Sequence, residues 1–134
     1  MASGSTVTVI VVNGPSVNVA WSQGMTAQQA LEAAYIAIGS SQQFTYAVQY
    51  FGQYGYLVVM INETFETFNP SAAPNYYWEF FVNGTPSQTG IDGTILNAGD
   101  KISFELEAYL PQKHATTTVG AKHEAKLKLT SPVP

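Results

Sequence analysis

Four groups of side chains in this chain have the composition to do chemistry, and each also has a plainer structural use. Asp92 and Asp100 flank Gly93 and Gly99, and two carboxylates held by tight turns are oxygen donors of the kind a hard cation takes. The spacing is not that of a calcium-binding helix–loop–helix, and Asp beside Gly is also ordinary turn chemistry. Glu63 and Glu66 form a carboxylate pair in a loop, the raw material of general acid–base work, with no partner residue identifiable beside them. His114 and His123 are the only histidines. Both lie in the C-terminal tail without an orienting partner, so they read as a loose metal pair or as uninvolved tail residues.

The fourth group is the densest. Tyr76, Tyr77, Trp78, Phe80 and Phe81 place five aromatic rings within six residues. They could form a stacking platform for a planar or sugar-like ligand, or fill a core and pair across strands. On a strand, Tyr76, Trp78 and Phe80 share one face, and Tyr77, Glu79 and Phe81 the other. A small domain is not expected to bury both faces, so part of this aromatic surface is expected to be exposed.

No phosphate-cradling Gly-Lys-Ser/Thr loop, nucleophile elbow or paired-histidine zinc helix occurs. Cysteine is absent, which removes thiolate nucleophiles, disulfides and Cys-based metal sites. The expectation is a protein that is not an enzyme, with no catalytic residue and no metal site assigned. Asn62-Glu63-Thr64 and Asn83-Gly84-Thr85 have the form of glycosylation acceptors, whereas Asn69 is excluded by Pro70.

The elements that must position these residues follow from local patterning. Thr6–Val12 is β-branched and ends at Asn13-Gly14, a hairpin signal that Pro15 and Ser16 widen. Val17–Trp21 alternates and pairs back. Thr26 opens a helix, with Gln29 completing a capping box. Ala27, Leu31, Ala34 and Ile38 form its apolar stripe, widened by Ala30 and Tyr35, and Gly39 closes it. Phe44–Phe51 and Tyr56–Asn62 read as strands, Glu63–Asn75 as a loop broken by Pro70 and Pro74, and Tyr76–Val82 as the aromatic strand. Lys101–Ala108 alternates, with Ile102, Phe104 and Leu106 on one face and Ser103, Glu105 and Glu107 on a wet face.

The order β-β-α-β-β-β-β, with a single helix, predicts an α+β fold: a β-grasp-like mixed sheet with the helix packed across one face. The domain is placed at 6–110. Residues 111–134 form a basic C-terminal tail, whose alternation of Lys126, Lys128 and Thr130 with Leu127 and Leu129 favours a short strand able to add to a sheet edge of its own or another copy.

Charge narrows the function classes. The chain of 134 residues suits one domain with a core, and only 10% of its residues are charged, against about 25% in typical domains. There is no Arg. Up to Pro111, one lysine stands against eight acids, giving −7; beyond it, four lysines against one glutamate give +3. An acidic body with no basic patch disfavours nucleic acid as a partner. The tail reads as a solvated segment or as one that touches an acidic surface, including the body of a neighbouring copy. No stretch is long enough to span a membrane, and Met1–Ser5 does not begin a signal peptide. The neutral, Tyr/Thr/Asn/Gln-rich surface expected here suits an extracellular or cell-surface setting, or a densely packed assembly.

TVTVIVVNG, VNV, TAQQALEAA, YGYLVVMIN, YYWEFFVNG and GIDGTILNAGDKISFEL occur in an order that resembles the transcobalamin-like C-terminal domain family, a β-grasp module, over about Thr6 to Ala108. More distantly the chain is similar to the soluble-ligand-binding β-grasp group. The resemblance implies a ligand-binding or interaction role, with cobalamin as the ligand known for the vitamin carriers. The family's contact positions fall here on Trp78, Glu79 and Phe80, with Tyr56 and Leu57 from the preceding strand. The implied partner is a small-molecule ligand or a protein. The alternative is a structural subunit of an extracellular filament, surface layer or virion-type assembly, which self-assembles through sheet edges and the terminal strand.

Overall fold

The computed structural model describes residues 5–67 and 75–109. The strand expected within 126–130, both histidines and the tail lie outside the described residues. The elements run β1 (Thr6–Val11), β2 (Ser16–Ala20), α1 (Ala27–Ile38), β3 (Tyr46–Tyr50), a 3-10 turn (Gly52–Tyr54), β4 (Tyr56–Ile61), β5 (Thr64–Phe65), β6 (Asn75–Val82), β7 (Thr85–Pro86) and β8 (Lys101–Tyr109). The fold is α+β and β-grasp-like, as the patterning predicts. Two short strands join the expected six: β5, within the expected loop, and β7, after the Asn83-Gly84 turn.

Five strands form a mixed sheet in the order β2-β1-β8-β6-β7. β1 and β8 run parallel, and the other pairs are antiparallel. The alternation of β1 sets its faces: Val7, Val9 and Val11 are buried, while the residues between them are not. Beside them in register lie Ile102 and Phe104 of β8, and beyond those Val82 and Phe80 of β6. Phe80 and Phe104 stack with centroids 5.2 Å apart. The remaining strands form a second sheet, β3-β4-β5, rather than continuing the first.

α1 covers the apolar face. Thr26 Oγ1 accepts the Gln29 N–H, and the Gln29 side chain accepts the Thr26 N–H, so the predicted capping box is made. Ala27, Ala30, Leu31, Ala34 and Ile38 are buried, and the Gly39 N–H closes the helix on the Tyr35 carbonyl. Tyr35 does not widen the stripe as expected: it is 54% exposed. At 100° per residue its position falls on the flank of the stripe, where a long ring turns outward to solvent.

The segment between β7 and β8 joins the layers. Gly90 and Ile91 donate to the carbonyls of Tyr54 and Tyr56, while the carbonyls of Ile91 and Thr94 accept the first free N–H groups of α1, from Gln28 and Ala27. Trp21 Nε1–H donates to the Leu96 carbonyl at 2.9 Å. Ile91 and Leu96 are each 1% exposed, burial that contributes about 1.5–3 kcal/mol per side chain. Gly90 is required by close approach, because a Cβ there would overlap the backbone of Tyr54 and Tyr56.

Candidate functional site

β6 is buried on both faces through its centre. Tyr77, Trp78, Glu79 and Phe80 are 1%, 7%, 1% and 5% exposed. The expectation of exposed aromatic surface therefore fails for Tyr77, Trp78 and Phe80. It holds in part for Tyr76, which is 37% exposed. The wet face expected for β8 is likewise only half exposed at Ser103, Glu105 and Glu107. On the side away from β8, β7 pairs only with Phe81 and Val82, and the rest of that edge is met by Glu66 and Thr67.

The two faces of β6 have different chemistry. Trp78 and Phe80 belong to the apolar core beneath α1. On the opposite face, Tyr77 stands in register with Glu107, and Glu79 with Glu105. The Tyr77 hydroxyl donates to Glu107 Oε1 at 3.4 Å. Burial, and then the nearby carboxylates of Glu79 and Glu107, push the Tyr77 phenol far above its ordinary range. A phenolate beside two carboxylates is disfavoured, so Tyr77 is a neutral donor at physiological pH.

Trp78 has its polar groups satisfied across the gap between the sheets. Its indole N–H donates to the Thr64 carbonyl at 2.9 Å, and its backbone N–H donates to Glu66 Oε2 at 2.8 Å. Next to β6, Thr67 and Tyr76 exchange backbone hydrogen bonds. These contacts tie the β5 segment to the outer edge of β6.

A cleft of about 270 Å³ opens where the apolar face runs out past the end of β1. Trp78, Leu106 and Val11 form its apolar wall. The turn Val12-Asn13-Gly14 closes one side, Ile61, Asn62 and Thr64 close the other, and Glu105 is the one acidic residue of the lining. Asn13 and Asn62 both have positive φ, at 66° and 49°, a conformation that Asn tolerates better than most residues. The Asn62 side chain also fixes its own turn, accepting the Thr45 N–H and donating to the Gln43 carbonyl.

The predicted contact residues are therefore distributed. Trp78 borders the cleft. Phe80 lies behind it in the core, and Glu79 on the opposite face of the sheet. Leu57 is buried in β4, while Tyr56 is 38% exposed and lies 5.1 Å from the Tyr50 ring, centroid to centroid. Tyr56 begins β4 and Ile61 ends it, so Tyr56 stands about 16 Å along the strand from the cleft. The residues that sequence reasoning missed are Val11–Gly14, Ile61, Asn62, Thr64, Glu105 and Leu106. Their one signal was a pair of Asn-containing turns, which says nothing about mutual position.

The other chemical candidates resolve into structural contacts. Asp92 Oδ1 accepts the Tyr56 N–H. Asp100 accepts from the Asn97 N–H and from Asn83 Nδ2. Glu66 holds the Trp78 N–H, and Glu63 Oε2 accepts from the Gln43 side chain at 3.3 Å. Among the described residues no group of three or more acidic, His or Cys side chains could hold a metal ion. No described helix is long and apolar enough to cross a membrane.

A family model described as a domain of unknown function, DUF4430, matches residues 24–108. None of the curated proteins matches the chain. Among solved structures, haptocorrin in complex with Cbi is similar with a TM-score of 0.65 and 19% identity, over 82% of this chain and 26% of that one. This chain thus spans about a quarter of the haptocorrin chain. A candidate metal binding protein from Ruminococcus gnavus ATCC 29149 is similar with a TM-score of 0.52 and 18% identity, over 81% of this chain and 100% of that one. At these identities the likeness is one of fold.

Proposed function

The chain belongs to the DUF4430 family, and from that premise we propose that it is a non-enzymatic binding module of the transcobalamin C-terminal-like kind. Its ligand sits in the cleft beside Trp78. The observation that carries this reading is the meeting of an apolar wall, Trp78 and Leu106, with two hairpin tips that supply polar edges. A flat or ring-shaped ligand with amide or hydroxyl substituents fits that division between an apolar face and a polar rim. The fold shared with a protein solved with Cbi makes a corrin-type ligand the first to test.

A non-enzymatic role is supported by the use of Glu63, Glu66, Asp92 and Asp100 as hydrogen-bond anchors. An extracellular or cell-surface setting belongs to the same proposal, supported by the low charge.

Tryptophan fluorescence provides the test. Trp21→Phe leaves Trp78 as the sole indole. Titration with cobalamin should then give saturable quenching, and Trp78→Phe in the otherwise native chain should give none. Absence of saturable quenching and of binding heat across corrin, aromatic and sugar ligands would sink the proposal.

A further inference from the structure

The parallel pair β1–β8 ends unevenly. β8 alternates its backbone groups between two neighbours. Lys101 and its odd-numbered successors pair with β6, as in the 2.7 Å bond from the Asn83 N–H to the Lys101 carbonyl. The even-numbered residues turn towards β1, as in the 2.9 Å bond from the Val12 N–H to the Phe104 carbonyl. Among the described residues the ladder stops after Phe104, because β1 turns away at Val12-Asn13-Gly14. The N–H and C=O groups of Leu106 and Ala108 therefore face the side on which β1 has ended. Leu106 is 38% exposed there and lines the Trp78 cleft.

This edge has a defined complement. A strand added beside β8 would alternate its side chains between the two sheet faces. One face offers Trp78 and Leu106; Glu105 and Glu107 alternate with Leu106 along β8, and Glu105 also lines the cleft. The matching segment is apolar at every second position, basic at the positions between, and only a few residues long. The sequence contains one such segment, Lys126-Leu127-Lys128-Leu129, in a tail of +3 attached to a body of −7.

We propose that residues 126–129 of a second copy add as a short strand to the open edge of β8, with both leucines against Leu106 and both lysines against Glu105 and Glu107. The inference rests on the reading of the Trp78 cleft as a contact surface, and it names the partner as another copy of this chain. Main-chain pairing gives the contact its affinity, and the alternate side chains give its register. The contact is head-to-tail: each copy donates a tail and accepts one, so it propagates into chains or rings. The added strand closes the cleft from the β8 side and competes with a small ligand.

The test uses the full chain. Amide hydrogen exchange at Leu106 and Ala108 should slow by about tenfold as protein concentration rises, in step with growth of the species seen by light scattering. Leu127→Asp with Leu129→Asp should abolish both effects. Lys126→Glu with Lys128→Glu should weaken both, and mixing that variant with a Glu105→Lys copy should restore them in part. Fast exchange at every concentration overturns the proposal, and so does slow exchange that is independent of concentration, which places the segment on its own sheet. Ligand quenching of Trp78 in the Leu127→Asp, Leu129→Asp protein tests the cleft by itself, so failure of strand addition and failure of the ligand reading are separable.

Discussion

The indole N–H of Trp78 and the carbonyl of Thr64 are joined by a 2.9 Å hydrogen bond that crosses from the five-stranded sheet to the three-stranded one. The same residue thus borders the cleft and fixes the distance between its walls. Trp78→Phe should keep most of the packing and lose the bond, costing about 1–3 kcal/mol because a partly buried carbonyl is left unpaired. Trp78→Ala should cost about 3–5 kcal/mol by adding a cavity. Urea unfolding of the two variants checks the difference. Equal losses would mean that the bond contributes nothing.

Glu66 acts on the same residue through the backbone. Its Oε2 accepts the Trp78 N–H at 2.8 Å. Glu66→Gln retains an acceptor and should lose less than half of what Glu66→Ala loses. The alanine variant should lose about 1.5–3 kcal/mol, the range for a hydrogen bond to a charged group. Chemical denaturation at neutral pH measures both.

Gly90 and Gly93 form a matched pair three residues apart. A Cβ at Gly90 would overlap the Tyr54 and Tyr56 backbones, whereas at Gly93 its nearest neighbour would be the Thr89 side chain at 3.6 Å. Gly90→Ala should destabilise by about 2 kcal/mol or more through forced backbone movement. Gly93→Ala should fall within about 1 kcal/mol of wild type, because its φ lies outside the left-handed range and the chain entropy change favours Ala. Thermal unfolding of the two variants side by side decides this.

Tyr77 predicts a pH dependence. Its phenol is raised above the ordinary value of 10.0 in the folded chain. The folded state therefore holds this proton more tightly than the unfolded state does. Its contribution to stability is complete below pH 10 and is lost as pH rises beyond it, since ionisation in the unfolded chain then favours unfolding. Tyr77→Phe should flatten the alkaline limb of the stability profile and leave the acid limb unchanged. A profile with the same alkaline slope in both proteins would assign that limb to other groups.

Local signals carried much of the architecture. The Thr26–Gln29 capping box, the alternation of Val7, Val9 and Val11, and the hairpin at Asn13 were legible because each depends on residues close in sequence. The place of β6 was not. Its burial on both faces is a tertiary property, and nothing in Tyr76–Val82 encodes that Trp78 and Phe80 join the core under α1 while Tyr77 and Glu79 stand beside Glu107 and Glu105. The cleft was hidden for the same reason. Its walls come from Val11–Gly14, from Ile61, Asn62 and Thr64, and from Glu105 and Leu106, three segments brought together by the parallel β1–β8 pair and by the bond from Trp78 to Thr64. Trp78 alone was visible beforehand, through its resemblance to a contact position. Tyr56 and Leu57 stand at the other end of β4.

The parallel pairing of β1 with β8 also sets a timetable for synthesis. The middle of the sheet is empty until Lys101–Tyr109 has been made, because β8 lies between β1 and β6. The amino-terminal hairpin and helix leave the ribosome long before that, with Val7, Val9 and Val11 lacking the strand that completes their sheet. Nascent chains halted before Lys101 should therefore remain protease-sensitive, and resistance should appear in a single late step once β8 has emerged.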